Sequence, residues 1–119
     1  GLSFSPDYKT LYVSNTIDGN IYKYDVIKNG ELRNLRLFVV QAKPEDKGTV
    51  GDGLKVDKEG NIYAASAFGI SVYSSKGEYL GSVKLHNSAS NLNFGGKDNK
   101  TLFITAHDKV YKIKTLIGK

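Results

Sequence analysis

A pattern of short strands recurs three times along the chain and constrains the fold more than any other feature of the sequence. Residues 10–15, 61–66 and 101–106 each read as a polar, an aliphatic and an aromatic residue, followed by small or β-branched ones. These segments start 51 and then 40 positions apart. Self-similarity at such a period predicts stacked copies of one structural unit, so the chain is expected to be a repeat protein.

The neighbours of each repeated segment recur as well. A short apolar strand and a turn precede it, and another strand follows it. The preceding strands are predicted at 2–4, 54–56 and 92–94, and the following ones at 21–24, 70–73 and 110–113. A fourth strand is predicted twice, at 36–40 and 79–85, whereas the third copy stops before its fourth strand. No window shows a helical period, so an all-β chain is predicted.

Four-stranded antiparallel units that repeat every ~40–50 residues are typical of β-propeller blades. A sandwich also consists of short strands, but it does not require residue-by-residue self-similarity. The predicted blades are about 1–43, 44–86 and 87–119, with the last one incomplete and no separate second domain. Because propellers close with about 4–8 blades, three blades are not expected to close by themselves. Either the other blades lie on a missing portion, or two copies pair to make a ring of six.

Composition limits the classes of partner. The net charge of +5 permits an anionic partner, but 15 of the 17 basic residues are scattered lysines, which argues against nucleic-acid binding. No apolar run approaches the roughly 18 residues of a membrane span, and no signal peptide is recognised, so a soluble chain is expected. The absence of cysteine leaves the compartment open. A start at Gly1, with no methionine anywhere, suggests a processed chain or a fragment.

One carboxylate stands out because two glycines flank it. Asp52 lies between Gly51 and Gly53, directly ahead of the alternating strand at 54–56. Glycines let the backbone approach a ligand closely, so this acid can face a metal or a substrate. An Asp-Gly pair is equally typical of a hairpin turn. The spacing alone leaves both interpretations open.

Three segments, in chain order, resemble the SMP-30/gluconolactonase/LRE family. Residues 1–16 are similar to its NGL-x-x-SPD-x-x-x-LYVSDT segment. Residues 52–63 are similar to its PDGL-x-VD-x-EGNIY segment, and residues 90–106 to its SNL-x-FGG…TL-x-ITA segment. The resemblance covers essentially the whole chain.

The resemblance implies both the fold and the chemistry. Family members are six-bladed propellers with one divalent metal, often calcium, in the central channel, and many of them hydrolyse sugar lactones or related esters. This chain resembles their C-terminal half. Of the family's metal ligands only Asp52 has a counterpart here, because the Asn would precede Gly1 and the Glu belongs to the other half. Asp52 is thus expected to be metal ligand and catalytic base, with calcium first and zinc, magnesium or manganese as alternatives.

Two further residues are candidates for substrate binding. Asn91 starts the inner strand of the third blade, which directs it toward the channel, although an asparagine there can also close a turn. His86 lies in a polar loop near the same face, where an exposed structural histidine is the commoner case.

The sequence departs from the family pattern at Gly51, which replaces a proline, and in the loop 86–89. Both departures bear on metal affinity and substrate fit.

Two functions from different classes follow. The first is part of a metal-dependent lactonase that opens sugar lactones with a metal-activated water, and the isolated chain is then expected to be inactive until the ring is complete. The second is a non-catalytic half-propeller, used for binding or as a scaffold, that closes a ring by homodimerisation or with an N-terminal half. The missing ligands distinguish them, since one carboxylate alone does not make a metal site.

Overall fold

A computed structural model describes residues 1–41 and 50–119 of the protein. The described residues form eleven β-strands and one 3₁₀ turn, Lys28–Gly30. The strands are β1 Leu2–Phe4, β2 Thr10–Ser14, β3 Ile21–Val26, β4 Leu32–Val39, β5 Leu54–Val56, β6 Ile62–Ser66, β7 Gly69–Tyr73, β8 Tyr79–Lys84, β9 Asn91–Gly95, β10 Thr101–Ala106 and β11 Lys109–Lys114. In these ranges no helix is long and apolar enough to cross a membrane. The all-β prediction is confirmed.

The strands form three antiparallel sheets in chain order. The first sheet has the order β1-β2-β3-β4, the second β5-β6-β7-β8, and the third β9-β10-β11. The third sheet is therefore the incomplete one, as predicted, and its lysine-flanked strand β11 is an edge. The predicted boundary between the first two blades, at 43/44, falls outside the described residues.

Strand β4 is longer than predicted. The sequence predicted a strand at 36–40, whereas β4 spans Leu32–Val39. Residues 32–37 are all exposed, so this stretch lacks the alternation of buried and exposed residues that marks a half-buried strand. The pairing of β3 with β4 also contains two register shifts, as expected of a strongly twisted outer strand.

The sheets pack face to face through two apolar clusters. The cluster between the first two sheets joins Tyr12 and Ile21 to residues of the second sheet, including Leu54 and Ile62. The second cluster joins Tyr63, Ala65 and Ile70 to Leu92, Phe94, Leu102 and Ile104 of the third sheet. Complete burial of one such aliphatic side chain stabilises the fold by about 1.5–3 kcal/mol. Each interface between sheets is thus a hydrophobic core of its own.

The inner strands β1, β5 and β9 lie side by side, β1 against β5 and β5 against β9. Their first residues come close together: a Cβ added to Gly1 would lie 2.9 Å from the Gly53 Cα, and one added to Gly53 would lie 2.8 Å from the Asn91 Cα. The residues that lead into the three inner strands therefore meet at one end of the molecule. Asp52 belongs to this end.

Candidate active site

The backbone at Asp52 takes a path that depends on the glycines beside it. Gly51 has φ +83°, in the left-handed region that favours glycine. A Cβ on Gly51 would lie 3.0 Å from both the Asn15 carbonyl oxygen and the Gly19 Cα. The loop that enters β5 is thereby seated against the β2–β3 loop of the first sheet. A proline, whose φ is fixed near −65°, does not fit this conformation, which accounts for the departure from the family pattern.

Backbone and hydroxyl hydrogen bonds fix this loop to all three sheets. The Ser14 hydroxyl, at the end of β2, donates to the Asp52 carbonyl oxygen. The Gly53 amide donates to the Ser90 carbonyl oxygen at 2.8 Å, and the Gly53 carbonyl accepts from the Ala65 amide at 2.9 Å. Asp52 therefore lies on a backbone segment that contacts each sheet near the start of its inner strand.

The side chain of Asp52 points away from this framework. The residue is exposed although both of its neighbours are buried. No other described residue donates a hydrogen bond to its carboxylate or forms an ion pair with it. A carboxylate held on a fixed backbone, with its oxygens not engaged by the described part of the chain, can bind a cation or accept a proton.

Asn91 adjoins this segment through Gly53. Its Oδ1 accepts a hydrogen bond from the next amide, Leu92 N, at 2.9 Å. Its carbonyl oxygen accepts from the Thr105 hydroxyl at 3.3 Å. Asn91 thus lies beside the Asp52 loop and is exposed. Its side-chain oxygen already accepts the hydrogen bond from Leu92.

His86 lies in different surroundings. It is exposed and lines a shallow recess with Lys84, Leu85 and Tyr111, between the outer strands of the second and third sheets. No hydrogen bond between described residues joins it to Asp52.

The second histidine, His107, is exposed in the β10–β11 turn, with φ +55°, as expected of a loop residue.

The described residues do not form a complete metal site. No group of three or more histidine, cysteine, aspartate or glutamate side chains converges among them. Calcium takes about 6–8 oxygen ligands, so Asp52 has the right ligand chemistry but does not form a site by itself. Among the described residues, Asp52 offers one candidate ligand for such a site and not a full set.

Asp57, to which the sequence pattern gave no functional role, has a carboxylate held by four hydrogen bonds. It is buried and accepts from the Glu59 amide at 2.9 Å, from the Asn61 amide and side chain at 3.0 and 2.9 Å, and from the Tyr63 hydroxyl at 3.2 Å. Burial, and then the negative charge of Asp57, raises the pKa of Tyr63 to about 12. The sequence feature that could have predicted this network is the Asp-x-Glu-Gly-Asn turn, in which an aspartate side chain typically accepts hydrogen bonds from nearby backbone amides. This network lies at the opposite end of β5 from Asp52 and is structural.

Comparison with known proteins agrees with this architecture. The SMP-30/gluconolactonase/LRE-like region matches residues 1–108 of the chain. A gluconolactonase of Zymomonas mobilis is 37% identical over 123 aligned residues, which cover 97% of this chain and 34% of that protein. The solved gluconolactonase of Xanthomonas campestris is 33% identical with a TM-score of 0.81, covering 96% of this chain and 36% of that one.

A third likeness concerns the fold alone. Regucalcin of Agrobacterium tumefaciens, described as a calcium-binding protein, superposes with a TM-score of 0.82 at 19% identity, covering 99% of this chain and 46% of that one.

The chain spans about a third of the length of the two gluconolactonases. Three propeller blades in this order, with the Asp52 loop entering the second, thus match part of these longer proteins. The chain belongs to the SMP-30/gluconolactonase/LRE-like family.

Proposed function

We propose that this chain is the Asp52-bearing part of a metal-dependent lactonase that opens sugar lactones. One observation carries the proposal: the Asp52 carboxylate is exposed on a backbone segment fixed to all three sheets, and no described residue engages its oxygens. The relatives named gluconolactonase support a lactone as the class of substrate.

Asp52 is proposed to act as metal ligand and as catalytic base. A bound divalent cation would polarise the lactone carbonyl and lower the pKa of a water molecule. The Asp52 carboxylate would accept the proton that the attacking water loses as its oxygen bonds to the carbonyl carbon. The ring C–O bond then breaks, and the departing oxygen takes the proton back from Asp52, which gives the open hydroxy acid and restores the carboxylate. Calcium is the first candidate ion, with zinc, magnesium and manganese as alternatives.

Asn91 and His86 are proposed to contact the substrate. Asn91 is well placed for this role because its backbone adjoins Gly53 and its residue is exposed at the same end of the molecule. Its Oδ1 is used by Leu92, so its Nδ2 is the group that would donate to a substrate hydroxyl or carbonyl. The placement of His86 near Tyr111 gives it a position on the rim, farther out along the blades.

Activity is expected only when the ring is complete. The three described sheets supply one carboxylate toward the metal, and the remaining ligands are proposed to come from a second copy or from an N-terminal half. The alternative function is a non-catalytic half-propeller used for binding or as a scaffold. A complete ligand set in the closed ring would distinguish the lactonase from that alternative.

Hydrolysis of gluconolactone by the protein with its ring complete, followed by acid release in the presence of CaCl2, tests the proposal. Asp52→Asn keeps the side-chain shape and removes the charge, and it is expected to lower kcat at least 100-fold, because it removes both the base and a ligand. Asp108→Asn, on an exposed turn, is the matched control and is expected to retain activity. Full activity in Asp52→Asn would overturn the assignment, and no hydrolysis by a closed ring would favour the scaffold function.

A further inference from the structure

A recess opens at the end of β5 opposite to Asp52, between the turn that joins β1 to β2 and the turn that joins β5 to β6. Its volume is about 410 Å³, a size typical of small-molecule sites. Both turns belong to the two neighbouring blades that the structure describes. The lining includes Ser5, Tyr8, Lys55, Lys58 and Lys119. The recess is thus large enough for a small ligand and is separate from the Asp52 segment.

The charged side chains of this lining are mainly lysines without a counter-ion. Lys55, in β5, is half-buried, and its Nζ donates to the Leu54 carbonyl oxygen at 3.3 Å. No ion pair joins Lys55, Lys58 or Lys119 to a carboxylate in the part of the chain that the structure describes. Burial, and then the positive charge of Lys119, lowers the pKa of Lys55. An anion in the recess would offset both effects.

Backbone hydrogen bonds bring the lysines together. The Lys58 amide donates to the Gly118 carbonyl oxygen at 3.0 Å, and the Lys119 amide donates to the Asn99 carbonyl oxygen at 3.3 Å. Asp57 also lines the recess, but four hydrogen bonds already engage its carboxylate. The recess is therefore positively charged on balance.

Tyr8 adds an aromatic ring whose position is unfavourable for the backbone. The same turn occurs in all three blades, because Tyr8, Gly60 and Asn99 each donate an amide hydrogen bond to the carbonyl three residues before. All three have positive φ, +60°, +88° and +57°. Glycine and asparagine suit this left-handed conformation, whereas a bulky tyrosine does not. The Tyr8 side chain is nevertheless 71% exposed, so packing does not account for it. Strain of this kind is typical of functional positions.

We propose that this recess binds a phosphorylated sugar, with its phosphate between Lys55 and Lys58 and its ring against Tyr8. Lysine ammonium groups bind phosphate as point charges, and Lys119 adds to the positive field. The face of an aromatic ring contacts the apolar C–H face of a sugar, while Ser5 supplies a hydroxyl beside it. The site does not depend on the proposed lactonase activity, because it shares no residue with the Asp52 segment.

Isothermal titration calorimetry of the protein with its ring complete tests the site, with glucose 6-phosphate, inorganic phosphate and glucose as ligands. Glucose 6-phosphate is expected to bind. Inorganic phosphate is expected to bind about 3- to 10-fold more weakly, because it lacks the ring that contacts Tyr8. Glucose, which lacks the anion, is expected not to bind.

Three variants separate the parts of the site. Lys55→Gln and Lys58→Gln are each expected to weaken glucose 6-phosphate binding at least about tenfold, because each removes a charge-assisted contact. Lys76→Gln, on the exposed β7–β8 turn, is the matched control and is expected to bind as the wild type does. Tyr8→Gly introduces the residue of the equivalent turn in the second blade. It is expected to weaken glucose 6-phosphate to the affinity of inorganic phosphate without lowering Tm.

The opposite results would overturn the proposal. No heat from glucose 6-phosphate up to about 10 mM would show that the recess is covered or does not bind this ligand. Unchanged affinity in Lys58→Gln, an exposed position where substitution leaves the fold intact, would show that the lysines do not hold the phosphate. Equal affinities for inorganic phosphate and glucose 6-phosphate would show that the recess binds an anion alone and that Tyr8 contacts no sugar.

Discussion

Gly53 and Asn91 lie in direct contact where the second and third blades begin. A Cβ on Gly53 would lie 2.2 Å from the Asn91 Oδ1 and 2.8 Å from the Asn91 Cα. A side chain at position 53 would therefore separate the two inner strands or displace the loop that carries Asp52. The glycine after Asp52 is therefore required by packing.

Gly53→Ala is expected to destabilise the protein by about 1–3 kcal/mol, the usual cost of forcing extra atoms into a packed site. Urea denaturation followed by far-UV circular dichroism measures the change. In the background of Asn91→Ala the cost should fall but not vanish, because the Asn91 Cα stays close while Oδ1 is removed. Equal costs in both backgrounds would show that the contact with Oδ1 is absent.

Gly51→Pro introduces the residue that the family pattern carries, and it is expected to destabilise this chain. Gly51 has φ +83°, which proline cannot adopt, so the loop must change its path. The expected loss exceeds about 1 kcal/mol of unfolding free energy and is larger than that of Gly51→Ala. A proline variant as stable as the wild type would contradict the loop conformation described for Gly51.

Ser14→Ala removes the hydroxyl that donates to the Asp52 carbonyl oxygen. Because the position is buried, the carbonyl loses a partner that water does not readily replace, and a loss of about 1 kcal/mol is expected. Chemical denaturation against Ser75→Ala, at an exposed site, provides the comparison. Indistinguishable stabilities of the two variants would show that the hydroxyl does not hold the Asp52 segment.

The Tyr63–Asp57 pair predicts a loss of stability in alkali. The pKa of Tyr63 is raised from 10.0 to about 12 in the folded chain, so folding favours the neutral phenol. That contribution is fully present below pH 10 and is lost as the pH rises from 10 to 12. At pH 11 the wild type should have lost about 1 kcal/mol more than Tyr63→Phe, relative to pH 8. Parallel denaturation curves of the two proteins across this range would contradict the raised pKa.

Most of the fold could be predicted because the strand signals repeat. All eleven strands were anticipated, because the same order of short apolar strands and turns recurs in each of the three repeats. The exception in length was β4, whose first residues are exposed on an outer strand and carry no alternation. Packing of neighbouring strands, and not local pattern, decides such a boundary.

The candidate site could be predicted only in part. Asp52 was identified from its flanking glycines and from the family resemblance, and its adjacency to Asn91 follows from the repeat. The recess that His86 lines with Tyr111 could not be foreseen, because the loop before β9 runs from an outer strand to an inner one. The burial of Asp57 depends on hydrogen bonds to its side chain, which the alternation of apolar and polar residues does not predict.

A calcium titration of the protein with its ring complete, followed by amide NMR, tests the central assignment most directly, because it reports binding at Asp52 and does not depend on activity. The amide signals of Gly51, Asp52 and Gly53 are expected to shift as CaCl2 is added, to stay fixed in Asp52→Asn, and to shift as in the wild type in Asp108→Asn. Shifts that persist in Asp52→Asn, or no shift up to about 10 mM calcium, beyond the usual range of protein sites, would contradict the assignment of Asp52 as a metal ligand.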